Sequence, residues 1–302
     1  MIPALVLTAG LATRLRPLSR VRAKAALPVA GQPLVHRIIR SLAAAGVSDL
    51  VLNLHHLPHT ITSTVGDGSH LGVRVRYSWE MPVLGSAGGP RRALPLLGAS
   101  PFLIVNGDTL TDVDLRSVID THRRSGALVT MALVPNTEPH KYGGVLVDTA
   151  GNVTGFTGKG SATRSFHFIG VQVAEAEAFA SLADNTPYES VGALYPDLIR
   201  QRMGSIRAHV AEAEFFDIGT PADYLDTCIG LAAREGVVLT GESVLWDDVV
   251  MEPRARVKHS VVTDGVHVPA GEWINVTIRR ADGSLEPFER RHGELAVGPL
   301  ER

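Results

Sequence analysis

The chain opens on a short apolar run, Ala4 to Leu7, and turns at Thr8-Ala9-Gly10 into a cationic stretch, Leu11 to Leu18, that carries Arg14 and Arg16. The run predicts a buried strand. Pro33 to Leu42 then sets apolar residues at helical spacing, Ala45-Gly46-Val47 turns, and Leu50 to Leu54 is apolar again. Strand, helix and strand in that order predict a parallel βαβ unit with a right-handed crossover. Val73 to Tyr77 alternates as a third strand. A glycine-rich loop, Leu84 to Pro90, leads to a helix over Arg91 to Leu97, and Phe102 to Val105 is a wholly apolar strand that stops at Asn106-Gly107-Asp108. Ala127 to Val134 adds a strand, and Glu189 with Tyr195 to Ile199 reads as an amphipathic helix. Phe215-Phe216-Asp217 is an apolar strand ending on a carboxylate, followed by a helix that Thr220 caps and Pro221 begins.

Beyond Arg234 the pattern changes. Val244, Val250, Val262, Val268 and Ile274 recur at multiples of six, with Arg256 the one polar member. This resembles the hexapeptide repeat of a left-handed β-helix, whose triangular coils take about 18 residues each. Fewer than two coils are predicted, too few to bury a core alone, so the coil must lean on the main domain or on another subunit of a homo-oligomer. The expected division is a main α/β domain over 1–235 and a repeat region with its tail over 236–302. The tail from Arg279, with Gly283 and Gly293, reads as a hairpin or an extension.

Composition narrows the classes. The chain has 302 residues, 45% of them hydrophobic, ample for a large core. A net charge of −2, with arginine pairs scattered along the chain, gives no basic footprint and argues against nucleic-acid binding. The single cysteine, Cys228, has no internal disulfide partner and fits a reducing cytoplasm. No apolar run reaches membrane-spanning length, and Met1-Ile2-Pro3 lacks a charged leader, so neither a membrane span nor an export signal is expected.

Candidate chemistry gathers where strands end. A buried strand that opens into small residues brings bare backbone N–H groups up to a ligand, and such groups bind phosphate. Ala9 to Thr13 can supply these donors, and Arg14 with Lys24 the positive charge. An ordinary strand-to-helix turn with surface arginines is the plain alternative. A dinucleotide site is disfavoured, because Ala12 and Leu15 stand where G-x-G-x-x-G needs glycines. The small residues of Leu84-Gly85-Ser86-Ala87-Gly88 would let the edge of a planar base approach the backbone. Asp108, at the tip of an apolar strand, needs water, a partner or a metal. Capping the next helix is its alternative role, one that Asp112 or Asp114 could fill. His55, His56 and His59 lie close together but lack a matching Cys or carboxylate cluster, so a zinc site is not expected.

The string Gly10-Leu11-Ala12-Thr13-Arg14-Leu15-Arg16-Pro17-Leu18, with Lys24 and Leu27-Pro28-Val29, resembles the signature of the sugar-1-phosphate nucleotidyltransferases. Two departures show: Ala12 replaces the family's second glycine, and Ala23 the proline before the lysine. Leu84 to Gly88 resembles the family's base-recognition loop, Val105 to Asp108 its V-N-G-D motif, and Phe215 to Pro221 its W-x-D-I-G-T-P motif. The resemblance implies a Rossmann-like mixed, mainly parallel sheet, with a short C-terminal left-handed β-helix as a common companion. It implies triphosphate binding by Ala9, Gly10, Leu11, Ala12, Thr13, Arg14 and Lys24, with Arg14, Lys24, Asp108 and Asp217 catalytic. Asp108 and Asp217 would be Mg²⁺ ligands.

On the acceptor side the resemblance implies Tyr142, Gly143, Gly144, Lys159 and Phe168 as sugar-phosphate contacts. Gly158 stands where the family has a sugar-binding glutamate, and Phe168 where it has an asparagine. The implied reaction joins an NTP and a sugar 1-phosphate into an NDP-sugar and pyrophosphate. GTP with a mannose- or heptose-type sugar is favoured, and UTP with an N-acetylated sugar such as N-acetylmuramate 1-phosphate is the alternative. A regulatory protein that binds nucleotide sugar without turnover is the rival of another class, and the changes at Ala12, Gly158 and Phe168 speak for it.

Overall fold

The computed structural model describes residues 2–281, 289–292 and 295–300. Its main elements are β1 (Ala4–Leu7), α1 (Leu34–Ala44), β2 (Asp49–Leu54), α2 (Pro58–Val65), β3 (Arg74–Trp79), α3 (Gly85–Leu97), β4 (Phe102–Asn106), β5 (Thr109–Thr111) and α4 (Leu115–Ser125). They continue with β6 (Val129–Pro135), β7 (Gly144–Val147), β8 (Val153–Thr157), β9 (Phe166–Ala174), α5 (Tyr195–Gln201), β10 (Ile206–Val210), β11 (Phe215–Asp217) and α6 (Pro221–Glu235). The chain divides into two compact units. One comprises Met1–Gly10, His36–Pro58 and Val65–Phe216, the other Leu11–Val35, His59–Thr64 and Asp217–Arg302.

A nine-stranded sheet fills the first unit. Its centre is parallel, β4-β1-β2-β3, as the βαβ reading predicts. β9 runs antiparallel to β4 and to β6, and β10 pairs parallel with β6. The central strands are apolar without alternation because both faces are covered: Leu5, Val6, Val51, Leu52, Leu103 and Ile104 are fully buried. Leu5, Val51, Phe102, Ile104, Met131, Leu133 and Tyr195 share the main core. Leu7 lies opposite Asn106, so the C-terminal tips of β1 and β4 are side by side.

Two sequence expectations shift here. The glycine-rich stretch is no free loop; from Gly85 onward it is the first turns of α3. The N–H groups of Ala87 and Gly88 both donate to the Tyr188 carbonyl, at 2.9 and 3.2 Å, so an outside acceptor satisfies groups that a helix start leaves open. Side chains in place of these glycines would crowd the segment that supplies it, since a Cβ at Gly85 would lie 2.8 Å from Tyr188 O and one at Gly88 2.5 Å from Thr186 O. Glu189 stays outside its expected helix, and Ser190–Leu194 forms a π-helical turn before α5.

In the second unit, Thr13–Leu15, Leu18–Arg20 and Lys24–Ala26 are single 3₁₀ turns, and α6 begins with a capping box between Thr220 and Asp223, with Pro221 in its first turn. Short parallel strands then stack as three ladders. They are Val244–Leu245 with Val261–Val262 and Thr277–Arg280, Val250–Met251 with His267–Val268, and Arg256–Lys258 with Trp273–Asn275. The register corrects the expected interior. Leu245 stacks on Val262, Met251 on Val268 and Val257 on Ile274, a pitch of seventeen residues. Val250 is therefore 55% exposed and Arg256 is exposed, while Val257 points inward. Past the last coil Arg280 is wholly buried and meets Glu289 through two hydrogen bonds, of 3.2 and 2.7 Å. Gly283 and Gly293 of the expected tail lie outside the described residues.

Candidate functional site

In the first unit the paired tips of β1 and β4 set the backbone. Gly107 N–H donates to Leu7 O at 2.9 Å, and a Cβ on Gly107 would lie 2.5 Å from that same oxygen. Only glycine lets the two tips approach this closely, and the next residue, Asp108, is thereby held just beyond the sheet. Asp108 accepts from the Thr109 hydroxyl at 3.2 Å. It does not cap the following helix. Asp114 does, accepting from Arg116 N–H at 3.0 Å, while Asp112 accepts from Glu214 N–H at 2.8 Å.

The stretch Leu84 to Gly88 is buried at Leu84, whose N–H is taken by Glu80. The Ser86 hydroxyl donates to Glu189 at 2.7 Å and accepts from Ser190 N–H at 2.8 Å. With Ala87 and Gly88 N–H spent on Tyr188, the donors left without an acceptor among the described residues are the N–H groups of Gly85 and Ser86.

Further along, Tyr142, His167 and Phe215 form an aromatic cluster, with ring centroids 4.1 to 5.6 Å apart. Lys141 lies 5.3 Å from the Tyr142 ring centre. Burial depresses the His167 imidazole to about 4, outweighing a hydrogen bond to Gly143 that favours protonation; the positive Lys141 nearby adds to the depression. Phe168, expected on the acceptor side, sits on the other face of β9 and packs, partly buried, against the main core. Its neighbour His167 is the residue that joins Tyr142 there, and strand alternation in Phe166-His167-Phe168 was the available signal. Gly144 is buried, and a Cβ there would clash with the Ser165 hydroxyl. At Gly158 a Cβ would meet nothing within 4 Å. Lys159 is exposed and without an ion-pair partner among the described residues.

In the second unit, Ala12 adopts a left-handed conformation, φ 47 and ψ 45, where glycine is ordinarily favoured. The Ser19 hydroxyl holds this turn by donating to Ala12 O at 2.9 Å. The N–H groups of Leu11, Ala12 and Thr13 have no acceptor among the described residues. Arg14 is exposed, without an ion-pair partner among them. Around Gly219 stand Asp217, Asp223 and Arg14: a Cβ there would lie 3.4, 3.1 and 3.5 Å from their nearest polar atoms. Asp223 is engaged in the helix cap, and the Asp217 carboxylate and the Arg14 guanidinium border the same space at Gly219.

His55 meets the Glu80 carbonyl through Nδ1 at 3.0 Å. Among the described residues no three His, Cys, Asp or Glu side chains converge as a metal cage, and no helix is long and apolar enough to cross a membrane. A cavity of about 600 Å³ lined by Ser100, His122, Glu175 and Arg202 opens at the end of β4 opposite to Asp108.

The family model described as nucleotidyl transferase matches residues 3–233. Mannose-1-phosphate guanylyltransferase of Mycobacterium tuberculosis is 28% identical over 294 residues, covering 89% of this chain and 82% of its own length. N-acetylmuramate alpha-1-phosphate uridylyltransferase of Neisseria meningitidis serogroup B is 45% identical over 120 residues, 39% of this chain and 52% of its own. The crystal structure of HddC from Yersinia pseudotuberculosis complexed with GMP-PN shares the fold, with a TM-score of 0.66 at 24% identity over 76% of this chain and 100% of that one.

Proposed function

The chain belongs to the nucleotidyl transferase family, and from that premise we propose that it transfers the nucleotidyl group of GTP to a mannose- or heptose-type sugar 1-phosphate, releasing pyrophosphate. It is an enzyme of the sugar-1-phosphate nucleotidyltransferase class. The observation that carries the site assignment is the run Leu11-Ala12-Thr13, whose N–H groups have no acceptor among the described residues, next to an unpaired Arg14. Donors left bare on a strained turn suit an anion.

In this reaction a phosphate monoester oxygen attacks an α-phosphorus already ringed by anionic oxygens, so catalysis consists of charge neutralisation and in-line positioning. Backbone at Ala9 to Thr13, chiefly through the N–H groups of Leu11, Ala12 and Thr13, with Arg14 and Lys24, holds the triphosphate, and Leu84 to Gly88 receives the base, chiefly through the N–H groups of Gly85 and Ser86. Lys159 holds the sugar phosphate beside Tyr142, Gly143 and Gly144. Asp108, just past β4, and Asp217, the last residue of β11, each offer a hard oxygen donor, which suits Mg²⁺ better than zinc. That ion, when bound, supplies further neutralisation of phosphate charge. Residues 1–235 carry this machinery.

The alignment with the guanylyltransferase, over 89% of the chain, favours GTP. The shorter but stronger local match to the Neisseria protein favours UTP with an N-acetylated acceptor as the second reading. A matrix of four NTPs against a panel of sugar 1-phosphates, read as pyrophosphate release, tests both. GTP with mannose or heptose 1-phosphate is expected to lead, and a clear preference for UTP transfers the assignment to the second reading.

A further inference from the structure

Within the first unit a chain of buried polar groups runs from the tip of β1 to the start of α3. The N–H groups of Thr8 and Ala9 donate to Asn53 Oδ1 at 2.6 and 3.3 Å, and the Thr8 hydroxyl donates to the Asn53 carbonyl. Asn53 Nδ2 donates to Glu80 Oε1 at 2.7 Å, and Glu80 Oε2 accepts from Leu84 N–H at 2.7 Å. Asn53 and Glu80 are only 3% and 4% exposed. Gly89 lets α3 close over them, since a Cβ there would lie 2.7 Å from Glu80 Oε1 and 3.0 Å from Asn53 Nδ2.

The chemistry at each link is determined. The Asn53 oxygen is claimed by two backbone donors, so its amide nitrogen must face Glu80. Position 80 therefore meets two buried donors, Asn53 Nδ2 and Leu84 N–H, and only a group that accepts at both ends satisfies them. A polar chain this dry has one arrangement, because leaving any link open leaves a buried group unpaired. Its two ends are the start of the stretch assigned to the triphosphate and the start of the stretch assigned to the base.

We propose that Asn53 and Glu80 are positioning residues that hold the base-binding stretch in register with the phosphate-binding stretch, so that one buried chain sets both ends of the bound nucleotide. This rests on the nucleotidyltransferase reading above. Neither residue touches substrate; each acts through backbone, Asn53 through Thr8 and Ala9, Glu80 through Leu84.

The alternation of donors and acceptors gives a sharp test. Glu80→Gln presents an amide nitrogen to one of the two donors in either orientation, and Asn53→Asp sets two carboxylates against each other. The double substitution restores every link and the net charge: Leu84 N–H donates to the new amide oxygen at position 80, whose nitrogen donates to the new carboxylate at position 53. Each single variant is expected to raise the KM for NTP about tenfold or more, with a smaller change in kcat and none in the KM for sugar phosphate. Each also narrows the ratio of kcat/KM between the best and second-best NTP, and the double variant recovers both readouts to within about threefold.

Single variants with a lowered Tm but unchanged KM and NTP ratio would make the chain a structural anchor and overturn the proposal. A double variant that regains Tm but not NTP selectivity overturns it too, because Glu80 would then act on the nucleotide directly. If a single variant does not fold, Gly89→Ala crowds the same pair without removing a hydrogen-bonding group. An unchanged KM and NTP ratio in that variant overturns the proposal. Wild-type protein that releases pyrophosphate from no NTP sinks the nucleotidyltransferase reading and this proposal with it, whereas active wild type with unaffected variants sinks this proposal alone.

Discussion

Asp264→Ala should loosen the segment around Arg22 and Lys24 within the second unit. Arg22, two residues before Lys24, reaches into the C-terminal coil, where Nε and Nη2 donate to the two oxygens of Asp264 at 2.8 and 2.6 Å. Nη2 also meets Asp247 at 2.6 Å, and the guanidinium lies 5.4 Å from the Trp246 ring centre. The Arg22 side chain is 17% exposed, Asp264 31% and Asp247 74%. Two charge-assisted bonds in a bidentate fork, partly screened, give about 2–3 kcal/mol for losing Asp264, which also strands the Asp247 N–H that it accepts at 3.1 Å. The exposed Asp247 should contribute about 0.5 kcal/mol or less. Urea unfolding followed by circular dichroism measures both, and added salt should erode the Asp247 contribution first. Equal losses for Asp247→Ala and Asp264→Ala, or no loss above about 0.5 kcal/mol for either, would refute the reasoning that burial and bidentate geometry set the strength of this clamp.

Three further outcomes follow from the site. Asp108→Asn and Asp217→Asn should each lower kcat about 10²- to 10³-fold without unfolding the protein, measured by pyrophosphate release and Tm, and normal turnover in both would remove them as metal ligands. Ala12→Gly should relieve a left-handed backbone, a gain of about 1–2 kcal/mol offset by about 0.4–1 kcal/mol of added unfolded-chain entropy, so urea unfolding should show a stability equal to or above wild type. His167 is held below its ordinary 6.5, at about 4, by burial. Between those values the unfolded chain binds a proton that the native one does not, so its contribution is complete above 6.5 and is lost as the pH falls towards 4. His167→Gln should flatten the pH dependence of stability in that window.

Much of the α/β part of the fold was legible in the sequence because its signals are local. A fully apolar strand such as Phe102 to Val105 announces burial on both faces, and Thr220-Pro221 announces a helix start from two neighbouring residues. The repeat region was legible as a repeat but not in register. A six-residue period read across the first coil pointed to Val250 and Arg256, whereas a pitch of seventeen puts Met251 and Val257 inside. One residue fewer per coil moves the interior positions of the first coil by one relative to Val262, Val268 and Ile274, and in an extended chain that exchanges inside for outside. The polar residue at Arg256 was the sign of the slip, since a charge in the interior of a small coil lacks any means of solvation.

The functional stretches show a different boundary of legibility. Ala9 to Thr13 and Val105 to Asp108 stand out because small residues and charges at strand ends form contiguous strings. Asn53, Glu80 and His167 do not, because what each does depends on residues 25 or more positions away: Asn53 on Thr8 and Glu80, and His167 on Tyr142 and Phe215. A buried asparagine inside Leu52-Asn53-Leu54 is nevertheless a readable anomaly. An amide in an otherwise apolar parallel strand has to be hydrogen-bonded on both its oxygen and its nitrogen, and the groups able to do so must come from the neighbouring strands. β1 on one side and β3 on the other supply them here, at their C-terminal ends, where ligands of parallel sheets gather. The polar residue that interrupts an apolar strand thus marks the level of the sheet at which the loops proposed to bind nucleotide leave β1 and β3.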